Sequence, residues 1–142
     1  MLKIIRDTRE QKGHGWEFKG YEVVSKKLDA GDYQIDGSKL ICIERKGEVG
    51  EFWKNLTSRK KQFIKEMELM REFDRRLIVC EFTLDELMCK PHFIQRKISP
   101  FFILKSVWEI YLEYNVPTLF LGNSAESYVR SLIKRCGEYD TK

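Results

Sequence analysis

The sequence predicts an α/β fold, a mixed central sheet flanked by helices, and three observations lead there. Short β-rich apolar runs separated by turns fill the first third of the chain. Longer stretches with apolar residues at helical spacing fill much of the rest, interleaved with two more apolar runs. The order strands, helix, strand, helix, strand, helix suits a sheet covered by helices. A chain of 142 residues is expected to form one domain over its full span, 1–142, large enough to bury a core.

The elements follow in chain order. Residues 2–6 and 21–28 read as strands, the second ending before a Gly31-Asp32 turn. Residues 33–36 and 40–46 flank Gly37-Ser38 and read as a hairpin. One long helix is predicted over 51–73, with Phe52, Leu56, Phe63, Met67 and Met70 on its inner stripe. Residues 76–82 (RLIVCEF) suit a buried strand, and Thr83 with Glu86 resembles a capping box opening a short helix. A basic loop follows over 90–97. Ser99-Pro100 then starts a helix whose predicted apolar face is Phe101, Leu104, Val107, Trp108 and Tyr111. A strand over 116–121 and a last helix over 125–136, stopped by Gly137, complete the chain.

Composition narrows the class. Apolar residues at 42% and charged residues at 34% describe a globular domain with a charged surface, not a disordered chain. The net charge of +4 permits an acidic partner without demanding one. Cys42, Cys80, Cys89 and Cys136 form no CxxC pair and lie far from His14 and His92, which argues against zinc. Cys42 and Cys80 sit in apolar runs and are expected to be buried thiols. Trp16, Trp53 and Trp108 read as packing groups. The start of the chain lacks the apolar core of a signal peptide, and no apolar run approaches the ~20 residues of a membrane span. The expected setting is a reducing cytoplasm.

The chemistry concentrates in LICIERK, residues 40–46. Side chains alternate along a strand, so Glu44 and Lys46 share a face and Arg45 takes the other. Alone, such an acid and lysine would be an ordinary surface ion pair. The predicted hairpin, however, brings Asp32 of Gly31-Asp32-Tyr33 close to Glu44. Two close carboxylates repel unless a cation sits between them, and hard oxygen ligands suit Mg²⁺ or Mn²⁺. With a lysine beside them they form a set suited to phosphodiester hydrolysis.

The motifs, taken together, resemble the XPF-type structure-specific endonucleases of the PD-(D/E)xK superfamily. The carriers are Asp7-Thr8-Arg9-Glu10, Gly31-Asp32-Tyr33, Glu44-Arg45-Lys46, and the pair Arg59 and Gln62. The resemblance implies a restriction-endonuclease-like sheet and a Mg²⁺- or Mn²⁺-dependent endonuclease acting on branched, flap or fork DNA in repair or recombination. It implies that Asp32 and Glu44 are metal ligands, that Asp7 is a further acid of the metal site, direct or through water, and that Lys46 is a catalytic base or stabiliser. Arg9, Glu10, Arg45, Arg59, Lys60, Lys61 and Gln62 are expected to support the site or bind DNA. The alternative is a catalytically silent DNA-binding or scaffold subunit that keeps the fold, against which the intact Asp32, Glu44 and Lys46 speak.

Two features depart from the family pattern. Gly50 stands where an aspartate is expected, leaving Glu48 or Glu51 as the substitute, and no helix-hairpin-helix domain is expected after 116. DNA contacts are then expected from this domain, from a second copy or from a partner protein. Arg59 is expected on the inner stripe of its helix, where a charge needs a partner. Lys54, Lys65, Lys90, Arg96 and Lys97 extend the basic character and would neutralise phosphates. His14, in Gly-His-Gly, is given no role. The resemblance implies pairing through this domain, and the aromatic-rich second half (Phe101, Phe102, Trp108, Tyr111, Tyr114, Phe120) offers more apolar surface than one small core needs, which points to self-association.

Overall fold

The computed structural model describes residues 2–11, 15–94 and 97–140. His14 and Arg96 lie outside the described residues. Six strands form a mixed sheet: β1 (Lys3–Asp7), β2 (Glu22–Lys26), β3 (Tyr33–Ile35), β4 (Ile41–Lys46), β5 (Arg75–Cys80) and β6 (Thr118–Phe120). Their order is β2-β1-β3-β4-β5-β6. β3 runs antiparallel to both β1 and β4, while the β1–β2, β4–β5 and β5–β6 pairs are parallel. The predicted hairpin forms, with Tyr33 opposite Ile43 and Gln34 opposite Cys42.

Among the described residues, five α-helices flank the sheet: α1 (Val49–Leu56), α2 (Lys60–Leu69), α3 (Leu84–Leu87), α4 (Pro100–Tyr114) and α5 (Ala125–Asp140). The period-two rule sorts the central strands between two cores. Cys42, Ile78 and Cys80 pack with α1, α2 and α4, whereas Ile41, Ile43 and Val79 pack with α5, Trp16 and Phe18. Even-numbered side chains of β4 therefore face α1 and α2, which places Glu44 and Lys46 beside those helices.

Three expectations need correction. The long helix over 51–73 is two helices. The Thr57 hydroxyl donates to the Trp53 carbonyl at 2.7 Å, and the Thr57 and Arg59 amides both turn to Lys54 at 3.2 and 2.9 Å, so the ladder breaks at the corner. The inner face of α4 is Ile103, Ser106, Val107, Ile110 and Tyr114. Phe101 and Trp108 are 73% and 58% exposed, so Trp108 is not a packing group. Apolar residues surround most of that helix, so periodicity alone does not choose its buried side. The stripe of Ile103, Val107 and Ile110 meets the core, and Ser106 fits there by donating to the Phe102 carbonyl at 3.0 Å. Finally, α5 runs through Gly137 to Asp140. A Cβ at Gly137 would lie 2.9 Å from Leu2 Cδ1, so this glycine permits close packing and does not stop the helix.

The predicted caps form. Thr83 and Glu86 make a full capping box, and the Ser99 side chain accepts from the Phe102 amide. Cys42, Cys80 and Cys136 are buried, Cys89 is exposed, and Trp16 and Trp53 are buried. Among the described residues no helix is long and apolar enough to cross a membrane.

Candidate active site

The residue before Asp32 makes the site possible. Gly31 has φ +68°, and a Cβ there would stand 2.5 Å from Cys42 Sγ and 2.9 Å from the Ile43 carbonyl oxygen. Only a glycine lets the chain lie this tightly against β4. The Asp32 amide donates to the Ile43 carbonyl at 2.7 Å, and its carbonyl accepts from the Asp7 amide at 2.8 Å. Asp32 is thus pinned between β1 and β4. Its Oδ2 accepts from the Arg45 amide at 2.8 Å.

Glu44 and Lys46 project from the same face of β4, with Lys46 Nζ 3.3 Å from Glu44 Oε1 and 3.3 Å from Glu51 Oε1. Asp32, Glu44 and Lys46 are all buried. Burial and the neighbouring Glu44 and Glu10 carboxylates push the Asp32 carboxyl far above its usual range. Burial also raises Glu44, against the pull of Lys46. Burial disfavours the Lys46 ammonium, but Glu44, Glu51 and Asp32 outweigh it and hold the pKa above its ordinary value.

These groups line a cleft of about 530 Å³ between β4, α1 and α2, open to Arg9, Glu10, Arg45, Arg59 and Gln62. Arg59 arrives there by a different route from the one its spacing suggested. It is the residue preceding α2, beyond the break, and it is exposed. Gln62 follows one turn later. Lys61 is exposed and does not line the cleft, while Lys60 turns away to Glu109 at 3.9 Å. Glu48 and Glu51 both line the cleft, and of the two only Glu51 pairs with Lys46 among the described residues. At Gly50, a Cβ would lie 3.0 Å from Phe93 Cζ, so the ring occupies the space of the missing side chain.

Arg45 turns to the other face of the sheet. Its guanidinium bonds Glu81 and Glu10, the latter at 3.2 Å, and lies 5.9 Å from the Trp16 ring centroid. Glu10 also accepts from the Tyr33 hydroxyl at 3.0 Å, and that hydroxyl accepts from the Trp16 amide at 2.7 Å. This network braces the strand that carries Glu44 and Lys46.

Asp7 is fully buried, and it is not among the residues lining the cleft. Oδ1 accepts from the Leu28 amide at 2.9 Å, and Oδ2 accepts from Arg9 Nε at 2.5 Å. Burial opposes its charge, but the Leu28 amide and Arg9 prevail and lower the pKa. Arg9 in turn lines the cleft and feels the charges of Asp32 and Glu44.

Sequence reasoning missed Asn55 and Glu66, which also line the cleft. Among the described residues, Asn55 Oδ1 is buried without a hydrogen-bond partner. Glu66 helps to raise Glu44. The available signal was the polar i, i+4 spacing of Glu51 with Asn55 and Gln62 with Glu66 on the helices that follow the Glu-Arg-Lys strand.

Among the described residues, no three His, Cys, Asp or Glu side chains gather closely enough to enclose a metal. The donor set nevertheless fits a hard dication. Magnesium is commonly held by one or two carboxylates, with waters and substrate phosphates completing the shell. Asp32 and Glu44 are two desolvated carboxylates that repel each other in the cleft.

A mixed sheet flanked by helices, with an acid pair and a lysine at one end, agrees with the restriction-endonuclease-like fold class expected from the sequence. The ERCC4 domain family model matches residues 6–129, and the chain belongs to that family. Solved structures share the fold, among them two of XPF from Aeropyrum pernix. XPF from Aeropyrum pernix in complex with DNA aligns with TM-score 0.70 and 18% identity, covering 99% of this chain and 66% of that one. A second structure of XPF from Aeropyrum pernix aligns with TM-score 0.67 and 17% identity, covering 99% and 62%. This chain therefore spans less than two thirds of the length of either structure. No curated protein matches the sequence.

Proposed function

We propose that this domain is a divalent-metal-dependent DNA endonuclease that hydrolyses phosphodiester bonds at branched, flap or fork DNA. One observation carries the reading: Asp32 and Glu44 are buried together in an open cleft, with Lys46 3.3 Å from Glu44. Such a pair is costly in a fold unless a cation joins it. Family membership supports the nuclease reading, and one fold relative is described as a complex with DNA. The branched substrate and a role in repair or recombination rest on the resemblance to XPF-type enzymes.

Asp32 and Glu44 would hold Mg²⁺ or Mn²⁺. When bound, the metal lowers the pKa of a water and draws charge from the scissile phosphate. Lys46 offers N–H donors to the oxygens on which charge develops, a stabiliser's role and not a base's. Arg59 and Gln62, at the start of α2, and Arg9, on the opposite wall, position the phosphates. Asp7 acts through Arg9 as a positioning residue. Arg45 and Glu10 keep β4 in place. The exposed stripe of Phe101, Trp108 and Leu112 on α4 supports pairing with a second copy.

The test is cleavage of a labelled fork by Glu44→Gln, with Mg²⁺, Mn²⁺ or EDTA. Glu44→Gln is expected to fold and to cut at less than about a tenth of the wild-type rate, because loss of a catalytic group typically costs more than that. Faster cutting, or cutting by wild type in EDTA, removes the metal-site reading.

A further inference from the structure

A second depression, of about 660 Å³, adjoins the α1–α2 corner. It shares no lining residue with the catalytic cleft, but the two are interleaved along the chain. Asn55 and Arg59 face the cleft, while Lys54, Ser58 and Lys60 face this groove. Its far wall carries Phe93 and Phe102, which are 49% and 42% exposed.

The composition of the groove is specific. Lys54 Nζ lies 4.9 Å from the Phe93 ring centroid, and Lys60 Nζ lies 5.6 Å from that of Phe102. Each accessible ring thus has an ammonium over it. No acidic side chain lines the groove among the described residues, although Lys60 also reaches Glu109 at 3.9 Å. Phe93 is held in place as well as exposed. Its ring rests on Gly50, where a Cβ would stand 3.0 Å from Cζ, so α1 is cut away to receive it.

Alternating rings and ammonium groups are the chemistry that binds an unpaired polynucleotide strand. Bases stack on the rings, and lysines neutralise the backbone. A duplex hides the faces of its bases and has no use for the rings. An acidic peptide would use the lysines but leave the rings unmatched. We propose that this groove binds a single strand of DNA, with bases stacked on Phe93 and Phe102 and phosphates on Lys54 and Lys60. The proposal builds on the reading of the adjoining cleft as the cutting site. An α-helix with its side chains is only ~10–12 Å across, so a strand leaving the cleft past Arg59 reaches the groove within a few nucleotides.

The experiment measures fluorescence anisotropy of a labelled oligo(dT) of about 12 nucleotides, within the usual site size of single-strand binders, in EDTA so that nothing is cut. Phe93→Ala is expected to weaken binding about tenfold, as loss of one stacked base does. Phe93→Tyr, which keeps the ring, is expected to retain it. Phe102→Ala gives an independent reading should Phe93→Ala fail to fold. Replacing Lys54 and Lys60 by Gln should flatten the log-affinity against log-salt slope by about 1.4, that is, about 0.7 for each phosphate no longer neutralised. Unchanged oligo(dT) affinity in folded Phe93→Ala and Phe102→Ala overturns the proposal. So does an equal loss for blunt duplex of the same length. Fork cutting by wild type is scored separately with Mg²⁺. Cutting without ring-dependent strand binding overturns the groove alone, and ring-dependent binding without cutting overturns the nuclease reading alone.

Discussion

Asp7 and Asp32 are both closed off from solvent, with Asp32 the deeper in the protein, and their backbones are joined by a hydrogen bond of 2.8 Å. Their carboxyls nevertheless shift in opposite directions. The difference lies in what the fold provides around each. Asp7 receives the Leu28 amide and the Arg9 guanidinium, and its charge is stabilised. Asp32 receives the Arg45 amide but faces Glu44 and Glu10. Burial alone therefore does not mark a functional acid. On the proposed reading, an acid left facing other carboxylates meets a cation from outside, whereas one with its bonds filled holds structure. Arg9 joins the two regions, because it binds Asp7 while lining the cleft and feeling the charges of Asp32 and Glu44.

The largest expected effect separates the two aspartates by activity. Asp32→Asn should lower fork cutting by more than about 100-fold, the scale of losing a catalytic group. Asp7→Asn should stay within about tenfold once rates are corrected for folded fraction, since it perturbs the site only through Arg9. Single-turnover cleavage of both variants measures this. Equal losses would put Asp7 in the metal site itself and erase the distinction.

Stability should separate them in the opposite sense. Asp7→Asn weakens charge-assisted bonds in a buried place, worth roughly 1.5–3 kcal/mol. Asp32→Asn removes a repelling charge and keeps an oxygen for the Arg45 amide. In EDTA it should melt above wild type, and Asp7→Asn below it. Magnesium then sharpens the contrast. At about 100 times its Kd, a ligand that binds only the folded state adds ~2.7 kcal/mol. Thermal melts should show a Mg²⁺-dependent rise for wild type and Asp7→Asn and none for Asp32→Asn. A rise retained by Asp32→Asn would move the metal elsewhere.

Much of this contrast was legible in the sequence, and the rest was not for physical reasons. Strand alternation put Glu44 and Lys46 on one face and Arg45 on the other, and the hairpin delivered Asp32 to them, because both rules are local. The mixed sheet followed from element order. The distant partner of Asp7 was not legible. It is the Leu28 amide, 21 residues away, brought near by the parallel pairing of β1 and β2, which no local pattern encodes. Arg59 reached the cleft through a helix break that rests on the Thr57 hydroxyl, whereas periodicity assumes an unbroken helix. The inner face of α4 was misjudged because its apolar residues encircle the helix, and only packing against the sheet selects Ile103, Val107 and Ile110.

The smallest effect is the pH dependence of the metal-free fold, and its sign follows from the same pair. Asp32 and Glu44 have folded pKa values of about 8 and about 7, above their ordinary 3.8 and 4.5. The folded state thus binds more protons than the unfolded state across that window. Stability must then fall as pH rises from about 4 to about 8, because the slope follows protons bound unfolded minus protons bound folded. Asp7 has the opposite sign. Its lowered pKa contributes stability above pH 3.8 that is lost only as the solution becomes more acidic. Urea melts in EDTA should therefore place the wild type's stability maximum on the acid side of neutral. The stability should then decline toward pH 8. Asp32→Asn should flatten that decline, Asp7→Asn should leave it, and saturating Mg²⁺ should reverse it by favouring the charged carboxylates. A wild-type curve that rises from pH 5 to 8 in EDTA would mean that the two acids are already satisfied within the fold, as Asp7 is, and the contrast between the two regions would not hold.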